Sequence, residues 1–145
     1  MKIVDLNVLL YAVNADSAHH RLMLEWWNRA LNQESLGLSW VVLLGFLRIS
    51  THPKIFPVLL APEIALQKVG AWLALDNVRV VHEQEQHWDL LRALLEETGA
   101  AGNLTTDAHL AALAIGHGTV LISCDNDFMW FKGLRWENPL GHSTQ

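Results

Sequence analysis

Short apolar runs recur along this chain at wide intervals: KIVDL at residues 2–6, LGLS at 36–39, VRVV at 78–81 and VLIS at 120–123. Helix-like segments fill the spaces between them. Strands separated by helices argue for an α/β fold, a parallel sheet covered on both faces. Such a sheet also constrains function, because its ligands bind outside the carboxyl ends of the strands, where the connections diverge.

The intervening segments are legible in outline. Residues 7–14 read as a short helix and 17–33 as an amphipathic one behind Asp16 or Ser17, with Met23, Trp27, Ala30 and Leu31 on one face and Gly37 as its breaker. WVVLLGFLRIS, residues 40–50, is apolar enough for a buried helix, and Pro53 and Pro57 mark a loop. Pro62 opens a helix over 62–75. Residues 84–99 form another, with Trp88, Leu91, Leu94 and Leu95 inward and Gly99 just past its end. Thr105 or Thr106 begins a further helix that Gly118 terminates, and LRWENP at 134–139 adds an edge piece.

Length and charge then limit the function classes. A chain of 145 residues reads as one domain, residues 1–145, able to remove roughly two thirds of its surface from water. Half of the residues are hydrophobic (51%) and few are charged (17%), which excludes a disordered chain. Cys124 is the single cysteine, so no internal disulfide forms, and it reads as a small apolar filler. The N-terminus lacks the pattern of a signal peptide, and no apolar run reaches the roughly 18 residues of a membrane span, so a cytoplasmic location is expected. The net charge of -5 means that a polyanionic partner must be held locally, by a few cations or by bound metal.

Acids stand at the expected strand ends. Asp5 follows KIV and precedes an apolar helix, and Asp125 follows VLIS in the same way, with Asp127 two residues on. Asp107 enters from a third direction, in the first turn of its helix after NLTT. Taken singly, Asp107 reads as a residue complementing the helix dipole and Asp127 as a turn residue or cap. Gathered at one sheet edge they repel one another, and a divalent cation relieves that repulsion. Oxygen ligands of this kind suit Mg²⁺ or Mn²⁺ rather than Zn²⁺.

Arg48, His52, Lys54, Lys132 and Arg135 are the candidate phosphate contacts. The eight histidines are poorly spaced for metal ligation and read as surface or interface groups; His109 points away from Asp107 along its helix. Phe128, Trp130, Phe131 and Trp136 offer either base-stacking surfaces or core, with core or burial under a partner the preferred reading. Apolar, Trp-rich helices at 20–31 and 40–49 offer a surface for a dimer or another partner protein.

VDLNVLL, TTDAHLAALAIGHG and ISCDNDFMWFKGLRWENPL, in that order over Lys2 to about Leu140, resemble the PIN-domain family, in particular the VapC-type toxins of bacterial type II toxin–antitoxin pairs. The resemblance implies a three-layer α/β/α sandwich with a mostly parallel central sheet. It implies a Mg²⁺- or Mn²⁺-dependent endoribonuclease acting on RNA, and a VapB-type antitoxin that covers its site in a homodimer or hetero-oligomer. Carried over, the family's acids match Asp5, Asp107 and Asp125, with Asp127 as a further ligand and Asn7 and Thr106 as orienting groups. Many relatives have a Glu in the helix after the second strand, where this chain has Gly45, so Asp127 is the candidate for compensation. Two other readings compete: a catalytically weakened module that binds RNA or protein, and a phosphate-transfer enzyme with Asp5 as nucleophile. The second expects an acid two residues on, where Asn7 stands.

Overall fold

The structure, a computed structural model, describes residues 1–53, 59–99 and 102–143. Chain order is β1 (Lys2–Val4), α1 (Leu6–Val13), α2 (His20–Gln33), β2 (Leu36–Leu38), α3 (Trp40–Ser50), α4 (Pro62–Leu73), β3 (Val78–Val80), α5 (His87–Thr98), α6 (Thr105–Gly116), β4 (Val120–Ile122), β5 (Arg135–Asn138) and β6 (His142–Ser143). Short 3₁₀ turns occupy Gly102–Leu104 and Asn126–Trp130.

The sheet runs β3-β2-β1-β4-β5-β6, parallel throughout except for β6, which pairs antiparallel with β5. From β1 the chain steps outward to β2 and β3, then returns to lay β4 on β1's other side. Right-handed crossovers put the helices of outward and returning steps on opposite faces. In agreement, α1 packs on α2 and α3, α3 on α4, and α5 on α6. The expected three-layer α/β/α sandwich is what forms, and its switch in strand order falls between β1 and β4. Crevices open at such a switch, outside the carboxyl ends of the strands.

The core follows from the apolar runs. Ile3, Val4, Leu36, Leu38, Leu121 and Ile122 are buried in the sheet. Trp27, Phe46 and Trp72 join α2, α3 and α4 through edge-on ring contacts, with centroids 5.4 Å apart for Trp27–Trp72 and 5.0 Å for Phe46–Trp72. Among the described residues no helix is long and apolar enough to cross a membrane.

Several local expectations are corrected. Gly37 does not break α2, which ends at Gln33 with the Glu34 amide donating to Ala30. It lies within β2 instead, where a Cβ would stand 2.7 Å from Val81 Cγ1 and 3.3 Å from Ile3 Cγ1, so only glycine fits. The first strand stops at Val4, and Asp5 caps α1. Trp88 is 65% exposed rather than inward. It lies about 120° around α5 from Leu94, the buried residue of that helix, and so falls off the packed stripe.

Candidate active site

Asp5 sits on the seam between β1 and β4, its amide donating to the Ile122 carbonyl at 2.9 Å. Its carboxylate is buried and well held. Oδ1 accepts from the Leu6 amide at 2.7 Å, the N-cap bond of α1, and Oδ2 accepts from Ser123 Oγ at 2.7 Å and Asn7 Nδ2 at 3.4 Å. Burial pushes the Asp5 carboxyl above its ordinary value; the bonds from Ser123 and Leu6 pull it back, and Asp125 adds to the rise.

Ser123 organises this seam, and sequence reasoning missed it. Its hydroxyl donates to Asp5 while accepting from Asn7 Nδ2 and the Asp125 amide, both at 3.1 Å, so its one donor and two lone pairs are all engaged. Asn7 completes the clamp by accepting from the Cys124 amide at 3.1 Å, and Ser123's carbonyl accepts from Trp136 Nε1 at 2.9 Å. The start of α1 and the end of β4 are thereby tied around the Asp5 carboxylate. The only signal in the sequence was a polar residue closing the apolar run VLIS.

Asp125 caps the 3₁₀ turn Asn126–Trp130 by accepting from the Asp127 amide at 2.9 Å. Asp107, half-buried in the first turn of α6, is pushed up to about 6, chiefly by burial and then by Asp5, Asp125 and Asp127. Thr106 is exposed on the same turn. Cys124, pushed up to about 12 by burial and by Asp5, stays a protonated thiol.

On α3, the neighbour of Leu6 is Gly45. Gly45 is buried, and a Cβ there would stand 2.7 Å from Leu6 Cδ2. The Leu6 side chain thus fills the space beside the place where the resemblance leads to a glutamate.

Of the candidate phosphate contacts, Arg48 is exposed in the last turn of α3, and half-buried His52 follows that helix. Lys54 lies outside the described residues. Lys132 pairs with Glu97 of α5 at 3.1 Å. Arg135 is not brought to the acids: it pairs in register with Val120 at the amino end of β4 and donates to Gly118 at 2.6 Å. Because these strands are parallel, that is the edge of the sheet opposite Asp5 and Asp125. His109 turns toward His87, with their ring nitrogens 2.9 Å apart, and toward Glu83 at 3.6 Å. Burial and His87 lower its pKa, with Glu83 opposing.

The donor set suits a hard divalent cation, since it consists of carboxylate oxygens. Asp5 accepts three hydrogen bonds on about four lone-pair sites, so capacity remains for an ion. Among the described residues, no three His, Cys, Asp or Glu side chains stand close enough together to share one ion in their present rotamers. The fit is therefore one of donor chemistry and strand-end location.

Sheet order and acid placement together define an α/β/α sandwich in which Asp5 and Asp125 follow the two strands that flank its switch point. The chain belongs to the PIN-domain family, whose model matches residues 2–132. It is 45% identical over 140 residues to Ribonuclease VapC37 of Mycobacterium tuberculosis (strain ATCC 25618 / H37Rv), covering 96% of this chain and 97% of that protein. To Ribonuclease VapC33 of the same strain it is 38% identical over 141 residues, covering 97% and 99%. The fold is similar to that in the crystal structure of VapBC2 from Rickettsia felis bound to a DNA fragment from their promoter, with TM-score 0.69, 20% identity and coverage of 94% and 97%.

Proposed function

We propose that this chain is the ribonuclease toxin of a type II toxin–antitoxin pair: a cytoplasmic endoribonuclease that hydrolyses RNA phosphodiesters and is silenced by a VapB-type antitoxin. The near full-length likeness to proteins named VapC ribonucleases supports the activity, and similarity to a VapBC complex supports the partner. The observation that carries the site is that Ser123 Oγ joins Asp5 Oδ2, at 2.7 Å, to the Asp125 amide, at 3.1 Å, and so brings the acids that follow β1 and β4 to one place.

Asp5, Asp107 and Asp125 would hold Mg²⁺ or Mn²⁺, with Asp127 as a fourth oxygen donor. Such an ion, when bound, polarises a phosphodiester and lets acidic side chains approach a polyanion. The chain's own part is positional. Ser123 and Asn7 hold Asp5 in one orientation, the Asp125 cap holds the turn that carries Asp127, and Thr106 stands beside Asp107 to orient water. Arg48 and His52 at the end of α3, with Lys54 and Lys132, are the phosphate contacts. Exposed Trp40 and Leu44 on α3 supply apolar surface for the antitoxin hetero-oligomer.

The test is cleavage of end-labelled RNA by purified chain in Mg²⁺, Mn²⁺ or EDTA. Cleavage should require the ion, and Asp5→Asn should lower the rate by at least ~10²-fold, the usual scale for losing one essential catalytic group. Asp127→Asn should cost about as much as Asp125→Asn if it supplies a ligand. Full activity of Asp5→Asn would overturn the site. The Leu6–Gly45 contact, which leaves α3 without a carboxylate, favours the weakened-module reading; RNA binding without any metal-dependent cleavage would select it.

A further inference from the structure

A 3₁₀ turn has three residues per revolution, so positions three apart lie one above the other. The turn Asn126–Trp130 and the residue after it accordingly form three edges. Phe128 and Phe131 make one, and both are buried at 0% and 3% exposure, pegging the turn into the core. Asn126 and Met129 make the second, with Asn126 Oδ1 accepting from Asn138 Nδ2 at 3.3 Å. The third edge joins Asp127 to Trp130.

That third edge starts beside a candidate site acid, because the Asp127 amide donates to Asp125 Oδ1 at 2.9 Å. Asp127 is exposed. Trp130 stands one revolution further on, ~6 Å at ~2.0 Å per residue, with 65% of its surface exposed. Trp is among the most buried residue types on average, and exposing so large an apolar face to water is costly without a use for it. The aromatic neighbours Phe128, Phe131 and Trp136 all went inward. The backbone that carries the indole is held by the Asp125 cap at one end of the turn and by the Phe131 amide, bonded to the Phe128 carbonyl at 3.2 Å, at the other.

We infer that Trp130 is a base-stacking platform, receiving an unpaired RNA base next to the phosphodiester held at Asp5, Asp107 and Asp125. The inference rests on the ribonuclease reading and deepens it by naming the residue that receives the base beside the cleaved bond. A strand whose phosphate occupies the acidic crevice continues along the Asp127–Trp130 edge, and the next base falls on a flat indole. A base in a duplex has no free face to offer. Stacking of this kind tolerates every base, because each has a π-face.

The experiment measures anisotropy of a fluorescein-labelled, mixed-sequence 12-nucleotide RNA, and of the same strand with abasic sites. The protein is the full chain carrying Asp5→Asn, which prevents cleavage, with Trp130 retained or changed to Phe or Ala. Trp130→Ala should weaken binding of the normal strand by about 5- to 100-fold, the range of one lost base stack. Trp130→Phe should keep most of the affinity, and the abasic strand should bind all forms alike. The salt dependence should not change, since no charge is removed.

Equal affinity of the parent and Trp130→Ala for the normal strand would overturn the inference, as would equal losses on normal and abasic strands. Loss of antitoxin binding with RNA affinity intact would assign the indole to the protein partner and equally overturn it. If no form binds RNA, the inference falls, and a cleavage assay on the unaltered chain tells whether the ribonuclease reading falls with it. Thermal melts of the three forms check that each is folded.

Discussion

The β4 side and the α3 side of the start of α1 are built by opposite means. On the β4 side, Asp5, Ser123, Asn7 and the Asp125 amide form a polar network in which Ser123 Oγ makes every bond it can. On the α3 side, Leu6 lies against Gly45 and there is no polar group at the contact. A polar wall fixes direction, since each hydrogen bond has a geometry; an apolar wall fixes only volume. The network therefore sets where the Asp5 oxygens point, whereas the Leu6–Gly45 contact determines how much room is left beside them.

Ser123→Ala breaks the comparison with the largest expected effect. It strips a donor from buried Asp5 and leaves the Asn7 amide and the Asp125 amide each short of an acceptor. The loss should be roughly 3 kcal/mol, read from the denaturant midpoint, because buried groups are left unsatisfied. Cleavage should fall as well, through the freed Asp5 carboxylate. A variant as stable and active as the parent would show that the network is incidental.

Gly45→Glu tests the other wall. Leu6 occupies the space, so the lone substitution should destabilise the chain and fail to add a useful carboxylate. Combining it with Leu6→Ala should recover part of the loss, with a coupling of about 1–2 kcal/mol as for residues in direct contact. Strict additivity of the two changes would mean that the wall yields elsewhere.

The smallest effect is in pH. Asp107 is raised from 3.8 to about 6, and Asp5 is raised too, so the folded state binds these protons more tightly than the unfolded chain. Their contribution to stability is full below about pH 3.8 and, for Asp107, is lost as pH rises through about 6. Metal-free protein should accordingly lose stability across that window, and Asp107→Asn should flatten the slope. Added Mn²⁺ should reverse its sign, by favouring the ionised carboxylates of the folded state.

Most of the sheet was legible because strand cores are apolar runs and need no partner to be recognised. The place of Asp5 was legible for a related reason: a carboxylate directly after a buried run must be either a cap or a site residue, and Asp5 caps α1 at the end of β1. Trp88 and Gly37 were misread because each depends on a neighbour. Where α5 begins and how it is rotated is decided by its packing on α6, and the need for a glycine in β2 by Val81 and Ile3 pressing on it. Arg135 shows the same limit, since only strand register places it at the far edge of the sheet.

Period and composition alone determined the alternating α/β layout, the parallel sheet and the acids at its strand ends, because these follow from hydrophobic patterning local to each segment. The tertiary structure decided what surrounds those acids: Ser123 as the hub, Leu6 over Gly45, and Trp130 outward while its aromatic neighbours went in. Those outcomes depend on contacts between residues as far apart in the chain as Asp5 and Ser123, and such contacts exist only after the sheet has closed.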